Sequence, residues 1–281
     1  SARAGRAAPD PSAIDLAIAT RTIEVKGKAA KVFGILQPNG AHGLVMNAGE
    51  RFRVRLQNAA QEPALIHWHG LTPPNEQDGV PGVTQPLLAP GESHDYDFAV
   101  ALPGTNWMHS HHTLQEQSLM AAPLIVRDPK DAARDEQEVV ILLHDFTFTQ
   151  PDEILTSLSK GMSHTHGAMA GGAADPQADH GMPQMQMAGL DLNDVSYDAF
   201  LANDRTLDDP ETVRVDKGQR VRLRIINAAS ATNFMIELGA LSGSLTDVDG
   251  RPIVPVIGTR FPIAAAQRAD VRVTLPAGEG A

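Results

Sequence analysis

The chain has 281 residues, of which 42% are hydrophobic and only 4% aromatic, and its net charge is −11. This length allows two domains of ordinary size, each with enough apolar residues for a core. No run of Lys or Arg forms a basic stripe, and nucleic-acid phosphates require clustered cations, so we expect no nucleic-acid partner. No apolar stretch approaches the roughly 20 residues that span a bilayer, so we expect no membrane span.

The N-terminal tail, residues 1–17, is small and polar at its start and begins with Ser1 rather than Met. Such a start fits a mature N-terminus left after removal of a signal peptide, although a trimmed chain looks the same. We therefore expect a periplasmic or secreted protein. The chain contains no cysteine, which excludes disulfides and thiolate metal ligands.

Short apolar or alternating runs dominate the rest of the chain, and Gly, Pro, Asn and Asp separate them. This pattern is typical of β-sandwiches and barrels. In chain order, the predicted strands are residues 22–25, 31–35, 52–56, 96–100, 124–126, 139–143, 221–226 and 271–275. We assign a first domain to 18–150, a Met/His-rich linker without periodicity to 151–190 and a second domain to 191–281.

An internal repeat supports the two-domain prediction. Residues 49–60, GERFRVRLQNAA, match residues 218–229, GQRVRLRIINAA, in one ungapped register. A further glycine follows twelve positions after each asparagine of the repeat, at Gly70 and Gly239. Amphipathic strands can look alike by chance, but agreement at so many Gly, Arg, Asn and Ala positions predicts two copies of one β-domain.

The same register predicts how the copies differ. His67 and His69 align with Ile236 and Leu238, so we expect any metal chemistry to belong to the first copy only. Residues 92–98 align with 267–273, and the counterpart of the 107–111 strand would begin where the chain stops. We therefore expect the second domain to be incomplete at its C-terminus and to be completed by a remaining polypeptide.

Two His-X-His pairs carry the predicted chemistry: His67 with His69, and His109 with His111. Side chains at positions i and i+2 of a strand point to the same face, about 7 Å apart. Each pair can therefore aim two imidazoles at one site, and neighbouring strands can bring four together. Neutral imidazole suits copper, zinc, nickel and iron, and copper leads that affinity series. A single pair would more often be solvated or packed in a core.

The residues around these pairs carry a resemblance to a known family. The stretches IHWHG (66–70), DGVPGVTQ (78–85), PG (90–91) and GTNWMHSH (104–111) resemble the first domain of multicopper oxidases, which include laccases, bilirubin oxidases and copper-resistance oxidases. The resemblance covers 18–128 and continues more loosely through 197–281, which looks like the metal-free middle domain. It implies an all-β fold of tandem cupredoxin-like Greek-key β-sandwiches or barrels, the second one incomplete.

The resemblance also implies roles for individual residues. His67 would bind a type 2 copper, and His69, His109 and His111 would bind a binuclear type 3 pair. Asp78 lies where the family places an acid that relays protons, although Asp78 followed by glycine also simply makes a turn. The type 1 copper and the other half of the trinuclear ligands come from a third domain in this family, and their motifs are absent from this sequence.

The function implied is the N-terminal part of an oxidase that couples one-electron oxidation of phenolic substrates or Cu(I) to reduction of dioxygen to water. Alone, the chain is not expected to be active. Two other interpretations stay open: a metal-free cupredoxin-like structural protein, and a copper storage or delivery protein acting through the linker. Glu116 is expected to form a polar turn and could support a ligand through hydrogen bonding.

Overall fold

The computed structural model describes residues 13–166 and 195–277. It has two compact units: Ser1–Phe146 with Ala199–Ala281, and Thr147–Asp198. The strands of the first unit are β1 (Ile14–Val25), β2 (Lys28–Leu36), β3 (Leu44–Asn47), β4 (Arg51–Asn58), β5 (Ile66–His69), β6 (Ser93–Ala99), β7 (Gly104–Ser110), β8 (Ala121–Arg127), β9 (Glu136–Phe146), β10 (Ala199–Ala202), β11 (Arg220–Asn227), β12 (Phe234–Glu237), β13 (Gly243–Val248), β14 (Arg251–Gly258), β15 (Arg260–Ile263) and β16 (Arg268–Thr274).

Three short helical elements complete the described chain. Two 3₁₀ turns lie at Asn75–Gln77 and Pro129–Ala133, and the second compact unit contains α1, Pro151–His166. None of the helices within 13–166 and 195–277 is long and apolar enough to cross a membrane.

The first domain is a sandwich of two four-stranded sheets, ordered β2-β1-β4-β6 and β3-β8-β7-β5. Alternation along the strands turns one set of side chains into the space between the sheets. The core there contains Phe52, Trp68, Tyr96 and Phe98 among many aliphatic residues, all buried. The sheets stay open, and the strands of the described chain form no closed barrel, so of the two predicted forms the sandwich is the one observed.

The second domain has a six-stranded sheet, ordered β10-β9-β11-β16-β13-β14, and a two-stranded sheet of β12 and β15. Its core lies between them and is built from residues such as Ile225, Phe261 and Val271. Several apolar residues packed on this core are only partly buried, including Leu223 and Leu245. The described strands therefore cover this core less completely than they cover the first.

The predicted repeat is confirmed in the geometry. β4 lies between parallel β1 and antiparallel β6, and β11 lies between parallel β9 and antiparallel β16. The side-chain amide of Asn58 donates to Leu88 O, and that of Asn227 donates to Ile263 O. Each Asn Oδ1 also accepts the backbone N–H two residues later. The asparagine of the repeat thus fixes the same corner in both copies.

Two details differ from the sequence-based expectation. β9 pairs with β10 and β11, so residues 136–146 belong to the sheet of the second domain and not to a first domain ending at 150. The start of the predicted linker forms helix α1. The rest of that linker, 167–190, lies outside the described residues.

The alignment of β5 with β12 is also shifted by one residue in the structure. Ile236 pairs with the buried Phe261 and packs on the core of the second domain, whereas Met235 points outward. A shift of one residue exchanges the two faces of a strand. The conclusion that the second copy carries no histidine on this strand is unchanged.

The two domains meet along β7. Trp107 shares an apolar cluster with Ile226 of the second domain. Thr105 Oγ1 donates to Asp270 Oδ1 at 2.6 Å and accepts from Arg224 Nη1 at 3.0 Å. These groups are buried, where hydrogen bonds that involve charged partners are strong. Strand β7, which carries His109, is therefore in contact both with its own domain and with the second domain.

Candidate metal centre

The two histidine pairs lie on neighbouring strands. β5 and β7 are antiparallel, with His67 opposite His109 and His69 opposite Trp107. Ile66 and Trp68 on β5 face the core, so the alternation of the strand turns His67 and His69 to its other face. His111 follows directly after the end of β7.

The four imidazoles form one cluster. The ring centroids of His67 and His111 are 4.8 Å apart, as are those of His109 and His111. The His69–His109 centroids are 5.4 Å apart, and those of His67 lie 5.7 Å from both His69 and His109. The structure thus brings together all four predicted ligand residues.

The nitrogen atoms are spaced as metal ligands would be. One nitrogen each from His67, His109 and His111 lies within 4.8 Å of the others. His69 Nδ1 and His109 Nε2 are 3.2 Å apart. Two nitrogens bound to one metal at about 2.0 Å, with an angle near tetrahedral, would be about 3 Å apart. The His69–His109 spacing therefore fits two ligands of one metal ion without rearrangement of the strands, whereas a separation near 4.8 Å is wider than two bonds of about 2.0 Å allow and suits ligands of different ions.

Hydrogen bonds orient two of the rings. His67 Nδ1 donates to the backbone carbonyl of Asp78 at 2.8 Å, and His109 Nδ1 donates to Glu116 Oε2 at 2.9 Å. Both bonds leave Nε2 unprotonated; that of His109 accepts from His69 Nδ1. A metal-bound histidine usually donates its other N–H to a carbonyl or carboxylate in this way. Glu116 makes the hydrogen bond to His109 that was expected, and its role in supporting a metal ligand stays a prediction.

Asp78 lies at the edge of the cluster because its loop closes tightly onto β5. Gly79 has φ +76°, and a Cβ there would lie 1.8 Å from Ile66 O. Only glycine allows this approach. The Asp78 carboxylate Oδ1 consequently lies 3.4 Å from His67 Nδ1 and remains partly exposed. Asp78 can therefore both take part in the turn and place its carboxylate beside the cluster.

Burial lowers the pKa of three of the four rings. Desolvation lowers the pKa of His67, and it lowers the pKa of His111 with smaller contributions from His109 and His67. Burial first and the charge of Arg268 second lower the pKa of His69 to about 3. Neutral imidazoles have the free lone pair that metal binding needs, so these rings are ready to bind at neutral pH.

The two tryptophans beside the histidines act as packing residues. Trp107 stacks on His109, with centroids 4.0 Å apart and planes at 9°. Trp68 lies on the core side of β5, against Phe52 and Tyr96. Apolar walls of this kind restrict solvent and fix ring orientation.

The sequence analysis did not identify Arg268, which belongs to the second domain. Its side chain is 5% exposed, and its guanidinium contacts the residues that follow His69. In the repeat register Arg268 aligns with Ser93. The pairing of the strands agrees: Arg268 lies opposite Ile226, and Ser93 lies opposite Gln57, the counterpart of Ile226. A lone arginine on a strand gives no sequence signal that it faces another domain's histidines.

Comparison with known proteins agrees with this geometry. Two family models, both described as multicopper oxidase, match residues 17–131 and 137–280. The second alone covers about half of the chain, and together they cover most of it. The chain belongs to the multicopper oxidase family.

Several relatives of this multicopper oxidase chain are named. It is 32% identical to the multicopper oxidase MmcO of Mycobacterium tuberculosis, over 82% of this chain and 45% of that protein. It is 32% identical to copper resistance protein A of Escherichia coli, over 94% of this chain and 46% of that protein. The laccase structure from Botrytis aclada is similar with a TM-score of 0.72 and 26% identity, over 95% of this chain and 47% of that one. The chain spans about half the length of these curated relatives.

Proposed function

We propose that this chain contributes half of the ligands of a trinuclear copper cluster in an oxidase that reduces dioxygen to water. The observation that carries the proposal is the cluster of four imidazoles on β5, on β7 and directly after the end of β7. His67 would hold the type 2 copper, and His69, His109 and His111 would hold the type 3 pair. Cysteine is absent from the chain, so the type 1 copper would be bound by other residues of the complete protein.

The exposure of His111 supports a half-site. His109 is buried, whereas His111 lies at the exposed end of the cluster. Further ligands could therefore approach from the His111 side without displacing the sandwich. The curated relatives are about twice as long as the matched part, and the remaining polypeptide of such a protein would bring those ligands.

Each residue around the cluster would have a distinct task. Copper in such a cluster supplies one-electron transfer and a place for dioxygen to be reduced. Glu116 holds the His109 ring through Nδ1, and Trp107 covers its face, so the ring cannot rotate away from its neighbours. Asp78 is partly exposed and can take a proton from solvent and hold it on its carboxylate at the edge of the cluster.

The reductant would be a phenolic compound or Cu(I). Relatives named laccase and copper resistance protein A support these two classes. We further propose a periplasmic or secreted location, in keeping with relatives named copper resistance protein A and laccase.

The test compares two histidines three positions apart, His109 and His112, in the full-length protein. His109→Ala should abolish dioxygen consumption and lower the copper content, because His109 neighbours the other three rings of the cluster. His112→Ala is the matched control, since His112 neighbours His111 but is not part of the ligand cluster, and it should keep both. A wild-type protein that binds no copper, or equal losses in both variants, would contradict the proposal.

A further inference from the structure

A buried arginine of the second domain lies between the ends of the two histidine strands. Arg268 Nε donates to Thr105 O on β7 at 3.3 Å, and Nη1 donates to Ala266 O at 3.0 Å. Arg268 Nη2 is 2.9 Å from the point that a Cβ on Gly70 would occupy. The guanidinium therefore touches the residue that follows His69 and the strand that carries His109.

The counter-charge of this arginine lies on the solvent side. Arg268 Nη1 is 3.1 Å from Asp249 Oδ1, and the Asp249 side chain is 51% exposed whereas that of Arg268 is 5% exposed. Water and salt screen an exposed carboxylate much more than a buried guanidinium. The positive field of Arg268 is thus only partly cancelled towards the histidines.

The charge of Arg268 lies close to the first histidine pair. Its guanidinium is beside Gly70, which follows His69, and it binds the backbone of β7 two residues before Trp107, the residue opposite His69. Arg222 and Arg224 instead pair with carboxylates of Asp131, Asp270 and Glu138. A fixed positive charge disfavours a doubly charged metal ion more than a singly charged one, because repulsion grows with the product of the charges.

We propose that Arg268 is a positioning residue that braces the ends of β5 and β7 and makes copper at His69 favour Cu(I) over Cu(II). The second domain then contributes no ligand but sets the electrostatics of the first domain's site. This inference rests on the proposed copper site. The inference assigns a role at this site to a residue of the second domain, for which the repeat predicts no metal ligands.

The test measures Cu(I) and Cu(II) binding separately in the full-length protein, by competition with chelators of known affinity for each ion. Arg268→Gln should strengthen Cu(II) relative to Cu(I) by about tenfold. Arg268→Lys keeps the charge and should restore most of the wild-type ratio. Asp249→Asn removes the counter-charge and should shift the ratio in the opposite direction, by less, because Asp249 is half exposed.

Arg222→Gln is the matched control. Arg222 is equally buried in the second domain, where it pairs with Asp131 and Asp270, so its loss should lower thermal stability and leave the ratio unchanged. The inference would be overturned if Arg268→Gln retained copper with an unchanged ratio of Cu(I) to Cu(II) affinity. It would also be overturned if Arg222→Gln shifted this ratio equally. Neither result would contradict the proposed copper site. Absence of copper from the wild-type protein would overturn the proposed function and this inference with it. If Arg268→Gln does not fold, Asp249→Asn tests the inference instead, and an unchanged ratio of Cu(I) to Cu(II) affinity in that variant would overturn it.

Discussion

The two copies of the domain share one scaffold but differ at the strand that follows the repeated asparagine. In the first copy, β5 turns Trp68 into the core and presents His67 and His69 to the cluster. In the second copy, β12 turns Ile236 into the core and exposes Met235. Both strands leave the same corner, and their faces are exchanged by a one-residue offset.

This difference shows which features the candidate metal site requires. The sandwich, its corner asparagine and the order of its strands are present in both copies, so they do not by themselves make a metal centre. The site requires histidines on the outward face of β5 and a second pair on the strand beside it. The second domain instead supplies packing and charge along β7.

The largest effect expected from the comparison concerns the shared corner. Asn58→Ala would lose two side-chain donations to backbone carbonyls, one buried and one part-buried, and one buried accepted bond. Leaving such groups unpaired costs about 1 kcal/mol or more each, so the loss should be about 3 kcal/mol. Asn227→Ala should cost a similar amount, slightly less because its bond to Ile263 O is 3.3 Å long. Urea unfolding measures both, and a loss in one copy only would contradict their equivalence.

A pH-dependent loss of stability is expected at a buried histidine that only the second copy has. His144 is buried, and burial lowers its pKa to about 4; its counterpart in the first copy is Ala19, by the register of β1 and β9. The unfolded chain therefore takes up a proton first as pH falls. The stabilising contribution is complete above about pH 6.5 and is lost towards pH 4, by about 2 kcal/mol.

Unfolding of the metal-free protein between pH 7 and pH 4 would show this slope. His144→Asn, which keeps a donor towards Ala228 O, should flatten it. If the variant keeps the full slope, the titration belongs to other groups, such as His42, whose pKa burial also lowers to about 4.

The two glycines that end the repeat should differ in tolerance. A Cβ at Gly70 would lie 2.4 Å from Asn106 Oδ1 and 2.9 Å from Arg268 Nη2, whereas Gly239 has nothing within 4 Å. Gly239, at φ +61°, lies in the left-handed region that L-residues can adopt, whereas Gly70, at φ +94°, lies outside it, so backbone strain adds to the contacts at Gly70. Gly70→Ala should therefore cost about 1.5 kcal/mol more than Gly239→Ala in thermal or urea unfolding. Equal costs would mean that the Gly70 contacts relax freely.

The smallest effect concerns a carboxylate that only the first copy uses. Glu116→Gln removes the charge that holds His109 Nδ1 and should weaken copper binding about tenfold. Glu92→Gln is the control, because Glu92 accepts from Ala89 N as Gln267 accepts from Ala264 N in the second copy. Copper titration should leave the control unchanged, and equal weakening in both would contradict the special role of Glu116.

Local patterns were enough to predict much of this molecule. Two-residue periodicity placed the strands, and the same periodicity put each histidine pair on one face, so His67, His69, His109 and His111 could be named before any fold was known. The repeat located the second copy because its glycines and asparagine are required by turn geometry and corner bonds.

The remaining features depend on contacts between distant parts of the chain. β9 belongs to the second domain because it pairs in parallel with β11 across more than seventy residues, and no local pattern states which sheet a strand will join. Arg268 acts across a domain interface, so its role depends on how the two sandwiches dock.

The stacking of Trp107 on His109 has a practical consequence. The chain has only two tryptophans, and Trp68 lies on the far side of β5 against Phe52 and Tyr96. A copper ion held by His109 would be close enough to the Trp107 indole to quench its fluorescence. The protein therefore carries its own optical reporter of metal occupancy, and a Trp68→Phe variant would leave that emission as the single signal.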